Sequence, residues 1–139
     1  MTFEQLQSKL DILKANLEKL DEIPQQTFEV FSSDFRNVGA ALYLLQTSIQ
    51  ALIDLAGYLV ARHALPTPRT SHEIFERLEE GGHLPAGTAR RIAPIVGFRN
   101  RVVHLYDRID EHRLYEILTV HRRDLVEVLD LLLAAAEDD

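Results

Sequence analysis

The sequence contains no cysteine. That removes disulfides, thiolate metal sites and a cysteine nucleophile together, and it fits a reducing, cytoplasmic setting. Tryptophan is also absent, and the six glycines and five prolines are too scattered for a glycine-rich phosphate loop. Gly81-Gly82 lacks the following Lys-Ser/Thr, and there is no Gly-x-Ser-x-Gly elbow. The six histidines show neither His-x-x-x-His nor Glu-x-x-His spacing, so neither a metal nor a cofactor is called for. No apolar run approaches the roughly 18 residues of a membrane span. The longest candidate, residues 40–61, is interrupted by Gln46, Gln50 and Asp54. The N-terminus is charged and amphipathic, unlike a signal peptide. Positive charge is short overall: the formal net charge is −7, which argues against a sequence-blind nucleic-acid binder. A local basic site remains open, because eight arginines fall between Arg90 and Arg123.

What is present is leucine-rich helical pattern in a length, 139 residues, that suits one domain over residues 1–139. Thr2 and Gln5 form a capping-box pattern, and Phe3, Leu6, Leu10, Leu13, Leu17 and Leu20 make one apolar stripe ending at Ile23-Pro24. Residues 24–33 read as a connector with room for one loose turn, and Ser32, Ser33 or Asp34 can cap a second helix over about 34–62. Two prolines make residues 63–69 a loop. Thr70 and Glu73 form a second capping-box pattern before a short helix at 72–80, which Gly81-Gly82 stops. Pro85 suits the first turn of a further helix, and Pro94 predicts a kink or restart within it. Asp110 is the expected N-cap of the last helix, about 111–136, whose stripe includes Val120 or His121. No alternating strand pattern is sustained. The expected fold is all-α: an up-and-down bundle of four long helices plus one short helix.

Along the second helix, Tyr43, Thr47, Gln50, Asp54 and Tyr58 recur at steps of three and four and share one face. They make either a solvated outer face or a polar wall turned towards chemistry elsewhere. Asp54 is the candidate supporting residue on that wall.

The chemically dense stretch is Gly97-Phe98-Arg99-Asn100-Arg101-Val102-Val103-His104-Leu105-Tyr106. Arg99 is a permanent cation with a planar donor fork suited to phosphate. His104 can exchange a proton near neutral pH, and Asn100 adds a neutral donor and acceptor. Such groups suffice to cleave RNA without a metal: one takes the 2′-hydroxyl proton, another protonates the leaving 5′-oxygen, and a cation stabilises the phosphorus. On a straight helix, at about 100° per residue, Arg99 and His104 stand roughly 140° apart and Arg99 nearly coincides with Tyr106. Three such groups converge only with a helix end, a second chain, or both. Ordinary bundle polar residues remain the alternative at this point.

Arg99-x-x-x-x-His104-x-Tyr106, with Phe98 and Asn100 beside Arg99, resembles the motif of HepT-like toxins in the HEPN superfamily. The run Gln46…Gln50-Ala51-Leu52-Ile53-Asp54-Leu55-Ala56 is also similar to that family, and the likeness extends from about Asp34 to the C-terminus. It implies the toxin of a toxin–antitoxin pair and a metal-independent ribonuclease, some members acting on transfer RNA. Arg99 and His104 would be the catalytic pair, with Asn100 assisting. It further implies a homodimer that joins two motifs in one cleft, and an MntA-like nucleotidyltransferase antitoxin that transfers AMP onto Tyr106. Phosphate and adenosine placed there would repel and block RNA. The competing expectation is a non-catalytic HEPN module that binds a nucleotide or the transferase.

Overall fold

The computed structural model describes residues 2–104 and 109–137, the side chains of Phe3, Val103 and His104 excepted. Among the described residues every regular element is helical: α1 (Phe3–Leu20), α2 (Phe28–Ser32), α3 (Phe35–Arg62), α4 (Ser71–Glu80), α5 (Thr88–His104), α6 (Glu111–Glu116), a π-helical turn (Ile117–His121) and α7 (Arg122–Glu137). The expected all-α bundle is observed. It is embellished by the five-residue α2, in a stretch expected to be a connector, and by the π turn inside the last helical segment.

The helix ends explain themselves locally. Thr2 and Gln5 close a full capping box on α1. Thr27 caps α2, Asp34 caps α3 and Asp110 caps α6, each accepting from a backbone N–H of the first turn. At α4 only half of the expected box forms. Thr70 accepts from the Glu73 N–H, while the Glu73 carboxylate turns to the Arg69 N–H instead. That bond is the main reason the Glu73 carboxyl titrates below its ordinary value.

Two helices end in the same six-to-one and five-to-two hydrogen-bond pattern. After α3, Leu65 N–H reaches the Val60 carbonyl and Ala64 N–H the Ala61 carbonyl. After α4, His83 reaches Leu78 and Gly82 reaches Glu79. The turn requires a left-handed residue: Gly82 takes φ 80°, and Ala64 takes φ 51° despite its Cβ. Gly81 is needed for closeness, since a Cβ there would stand 3.1 Å from Leu65 Cδ2 and 3.2 Å from His83 Cδ2.

α5 begins later than Pro85 suggests. Pro85 sits in the preceding turn, its carbonyl accepting from the Thr88 hydroxyl, and the helix starts at Thr88. Glu79 of α4 accepts from the Ala89 N–H at 2.9 Å and so caps the start of α5. The helix is continuous through Pro94, although the missing N–H leaves the Arg90 carbonyl without its usual donor.

α3 is the axis of the bundle, and every other α-helix touches it. α1 lies along it most extensively, and α4 bridges α3 and α5. Leu45, Ile49, Leu52 and Leu59 are fully buried, with Leu13, Leu20, Phe31, Phe75, Ile92, Leu118, Val128 and Leu132 closing around them. α3 is long and apolar enough to cross a membrane by length and composition alone. In its most apolar window 56% of residues are buried, as suits the central helix of a bundle. In the last segment, the π turn leaves Val120 58% exposed and turns His121 inward to the Glu116 carboxylate, 3.2 Å away, so His121 takes the stripe side.

Candidate active site

Arg99 lies one helical turn beyond Ile95 and Val96, both buried, on the inward side of α5. Phe98, 5% exposed, anchors the turn, while Gly97 and Arg101 face outward. Arg99 is therefore half-buried, and its Nε is buried without a hydrogen-bond partner among the described residues. Its Nη1 donates to the Asn100 side-chain oxygen at 3.3 Å. A buried donor left unpaired costs about 1–3 kcal/mol. An anion at the guanidinium would remove that cost, and phosphate matches its fork.

His104 ends α5, but its side chain lies outside the described residues, as does all of Tyr106. The structure thus brings Arg99 and Asn100 together and does not address how His104 and Tyr106 stand towards them.

Asp54 is engaged elsewhere. Its Oδ2 accepts from Lys9 Nζ of α1 and its Oδ1 from Gln50 Nε2, both at 2.8 Å. Among the described residues no hydrogen bond joins it to Arg99. Two turns earlier, Thr47 accepts from Asn16 Nδ2 at 2.7 Å. The polar face of α3 is therefore neither a free solvated surface nor a wall turned on Arg99: its middle clips α1 to the bundle. Around Asp54 the same face opens into two recesses. One, of ≈ 640 Å³, is lined by α3 from Ile53 to Arg62 with Ile74 of α4. The other, of ≈ 250 Å³, is lined by Lys9, Ile12, Tyr43, Thr47, Gln50, Ala51 and Asp54.

The other histidines have structural surroundings. His63 stacks on His83 with ring centroids 3.9 Å apart, His112 stacks on Phe28 at 3.7 Å, and His72 stands 3.8 Å from Glu76. Among the described residues no group of three acids or histidines is placed to hold a metal. Charge elsewhere is spent on fastening. Arg91 of α5 binds Asp124 and Glu127 of α7, chiefly Asp124, which raises its pKa. Arg122 reaches back to Asp21 at 2.7 Å. The sequence did not signal these long-range pairs.

The family model described as Ribonuclease HepT-like matches residues 13–132. The chain belongs to the HepT-like ribonuclease family. The expectation drawn from Arg99-x-x-x-x-His104-x-Tyr106 is met at that level, and the expected class, an RNA-cleaving enzyme, is the family's own. Among curated HepT proteins, the chain is 28% identical over 110 residues to a tRNA nuclease HepT of Aphanizomenon flos-aquae, covering 79% of this chain and 75% of that one. It is 24% identical over 104 residues to an mRNA nuclease HepT of Shewanella oneidensis, covering 75% and 78%. In fold it is similar to the tri-AMPylated Shewanella oneidensis HEPN toxin solved in complex with an MNT antitoxin. There the TM-score is 0.81 at 21% identity, over 96% of this chain and 99% of that one. The cytosolic protein YutE of Bacillus subtilis, of unknown function, matches equally in fold, with a TM-score of 0.81 at 16% identity over 99% and 94%.

Proposed function

We propose that this HepT-like protein is the toxin of a toxin–antitoxin pair and cleaves RNA without a metal ion. The observation that carries the reading is Arg99, a half-buried guanidinium whose Nε has no partner among the described residues, steadied by Asn100 at 3.3 Å. A phosphodiester at that fork would meet a cation already desolvated and held, which is how electrostatic stabilisation of a transition state works best. The 2′-oxygen attacks phosphorus and the bond to the 5′-oxygen breaks, giving a cyclic phosphate and a free 5′-hydroxyl. His104 exchanges the proton this requires. Asn100 orients Arg99. Asp54, tied to Lys9 and Gln50, takes no part in the proton transfer.

The relatives named as tRNA and mRNA nucleases support RNA as the substrate class. The solved complex of an AMPylated HEPN toxin with its antitoxin supports neutralisation by a nucleotidyltransferase that adds AMP at Tyr106. A homodimer joining two motifs accounts for how groups on one helix, spread around its axis, reach a single phosphate.

Two measurements test this. Purified protein incubated with total RNA in excess chelator should cut it, and His104→Ala should lose that activity with its helix content intact. Equal cutting by the variant would remove His104 from the chemistry. Co-expression with the cognate transferase should add AMP mass to the peptide carrying Tyr106. Mass on another residue would sink the regulatory half alone.

A further inference from the structure

We propose that the ≈ 640 Å³ recess on the outer face of α3 holds one guanine base of the RNA, read by the Asp54 carboxylate. The proposal rests on the ribonuclease reading above and adds a base-recognition site to it.

The recess has the size range of small-ligand sites. Its floor is flat for a specific reason. Gly57 sits within the 28-residue α3, five residues before its end at Arg62, where glycine costs up to about 1 kcal/mol relative to alanine. No crowding demands it, since a Cβ there would meet only Ile74 Cδ1, at 4.0 Å. What the glycine does is leave the recess clear. Ala61 continues the floor one turn on, Ile53 and Ile74 give apolar walls, and half-buried Tyr58 adds a ring at the side. That lining suits a flat heteroaromatic ring.

Asp54 gives the recess its chemistry. Its side chain is only 19% exposed, and Lys9 and Gln50 hold one oxygen each. A carboxylate accepts about four hydrogen bonds, so each oxygen keeps a free lone pair. Two fixed acceptors side by side match two parallel N–H donors. Of the four RNA bases, guanine alone offers them, through N1–H and the N2 amino group. Adenine and cytosine set a donor beside an acceptor, and uracil has a single donor between two acceptors.

The test is NMR titration of the whole chain with GMP and with AMP, alongside mapping of cut sites on oligoribonucleotides. GMP should shift amides of residues 53–62, with AMP weaker by about tenfold or more, the loss expected when a charge-assisted hydrogen bond goes unmade. Gly57→Leu should keep its helix content, fill the recess and lose both the GMP shifts and any guanine preference at the cut. Asp54→Asn, with one acceptor and one donor, should move the preference towards AMP. GMP binding unchanged in Gly57→Leu, or equal response to GMP and AMP, would overturn the proposal. So would Gly57→Leu converting a two-copy particle to one copy by light scattering while neither nucleotide binds the parent, because a second chain then covers the recess. The two readings fail separately. A parent that binds GMP at residues 53–62 but leaves RNA uncut keeps the recess and removes the nuclease. A parent that cuts RNA with no base preference and no GMP shifts removes only the recess.

Discussion

At the scale of single residues, Arg99 is where burial and charge conflict. Its stem lies among the inward side chains of α5 while its Nε finds no acceptor among the described residues. Arg99→Met keeps an apolar stem and deletes the unpaired donor, so thermal stability should hold or rise slightly, by up to about 1 kcal/mol. Cleavage should fall by about 10²–10³, the range for removing one transition-state donor. A melting curve and a rate measured on the same preparation check both halves, and a destabilised variant would mean that Arg99 is structural. Glu116 makes a pH prediction. Its carboxyl titrates below the ordinary 4.5, first because of His121 and then Arg113. A depressed folded-state pKa stabilises the fold above the unfolded value, and that contribution is lost as pH falls through the folded one. Glu116→Gln should therefore lower stability at pH 7 slightly and show a shallower loss on acidification below pH 4.5. Parallel pH–denaturation series would reveal it, and identical acid limbs would show that the Arg113–Glu116–His121 cluster contributes nothing.

At the scale of elements, caps and stops do much of the specifying, and one stop is strained. Ala64 occupies the left-handed position that closes α3, where a Cβ costs about 1 kcal/mol. Ala64→Gly should stabilise by a few tenths to about 1 kcal/mol, read from the urea midpoint, and a loss would mean that the unfolded-chain entropy of glycine wins. Such local chemistry is what a sequence shows well. Thr2, Asp34 and Asp110 were legible as caps and the leucine stripes as helices, because each signal lies within one or two turns. Three things were not. α2 is too short to carry a periodic stripe, yet Thr27 caps it and Phe31 is wholly buried. The π turn at Ile117–His121 shifts the register by one residue, and only ambiguity between Val120 and His121 hinted at it. Glu79 caps a helix through the N–H of Ala89, ten residues later, a partnership fixed by how α4 folds back on α5. The same limit applies to the polar face of α3. Its spacing was visible, but its use of Asn16 and Lys9 to hold α1 depends on contacts 31 and 45 residues apart in sequence.

At the scale of the whole molecule, a chain of net charge −7 is assigned to an anionic substrate. The two are compatible because arginine is concentrated late in the sequence, while Arg91, Arg113 and Arg122 are already paired with acids. Binding then comes from a few placed cations, not from a broad field. RNA affinity should accordingly fall only gently with salt compared with a basic nucleic-acid binder. α3 organises the molecule for this task, with α5 carrying Arg99 on one side and the Asp54 recess opening on its outer face. The most direct measurement of the central claim is cleavage of defined RNA by the purified chain in excess chelator, compared among the parent, Arg99→Ala and His104→Ala. The account predicts cutting by the parent that chelator does not suppress, with cyclic-phosphate ends, and loss of it in both variants at unchanged helix content. Cleavage that stops with chelator, or that survives in both variants, would contradict it.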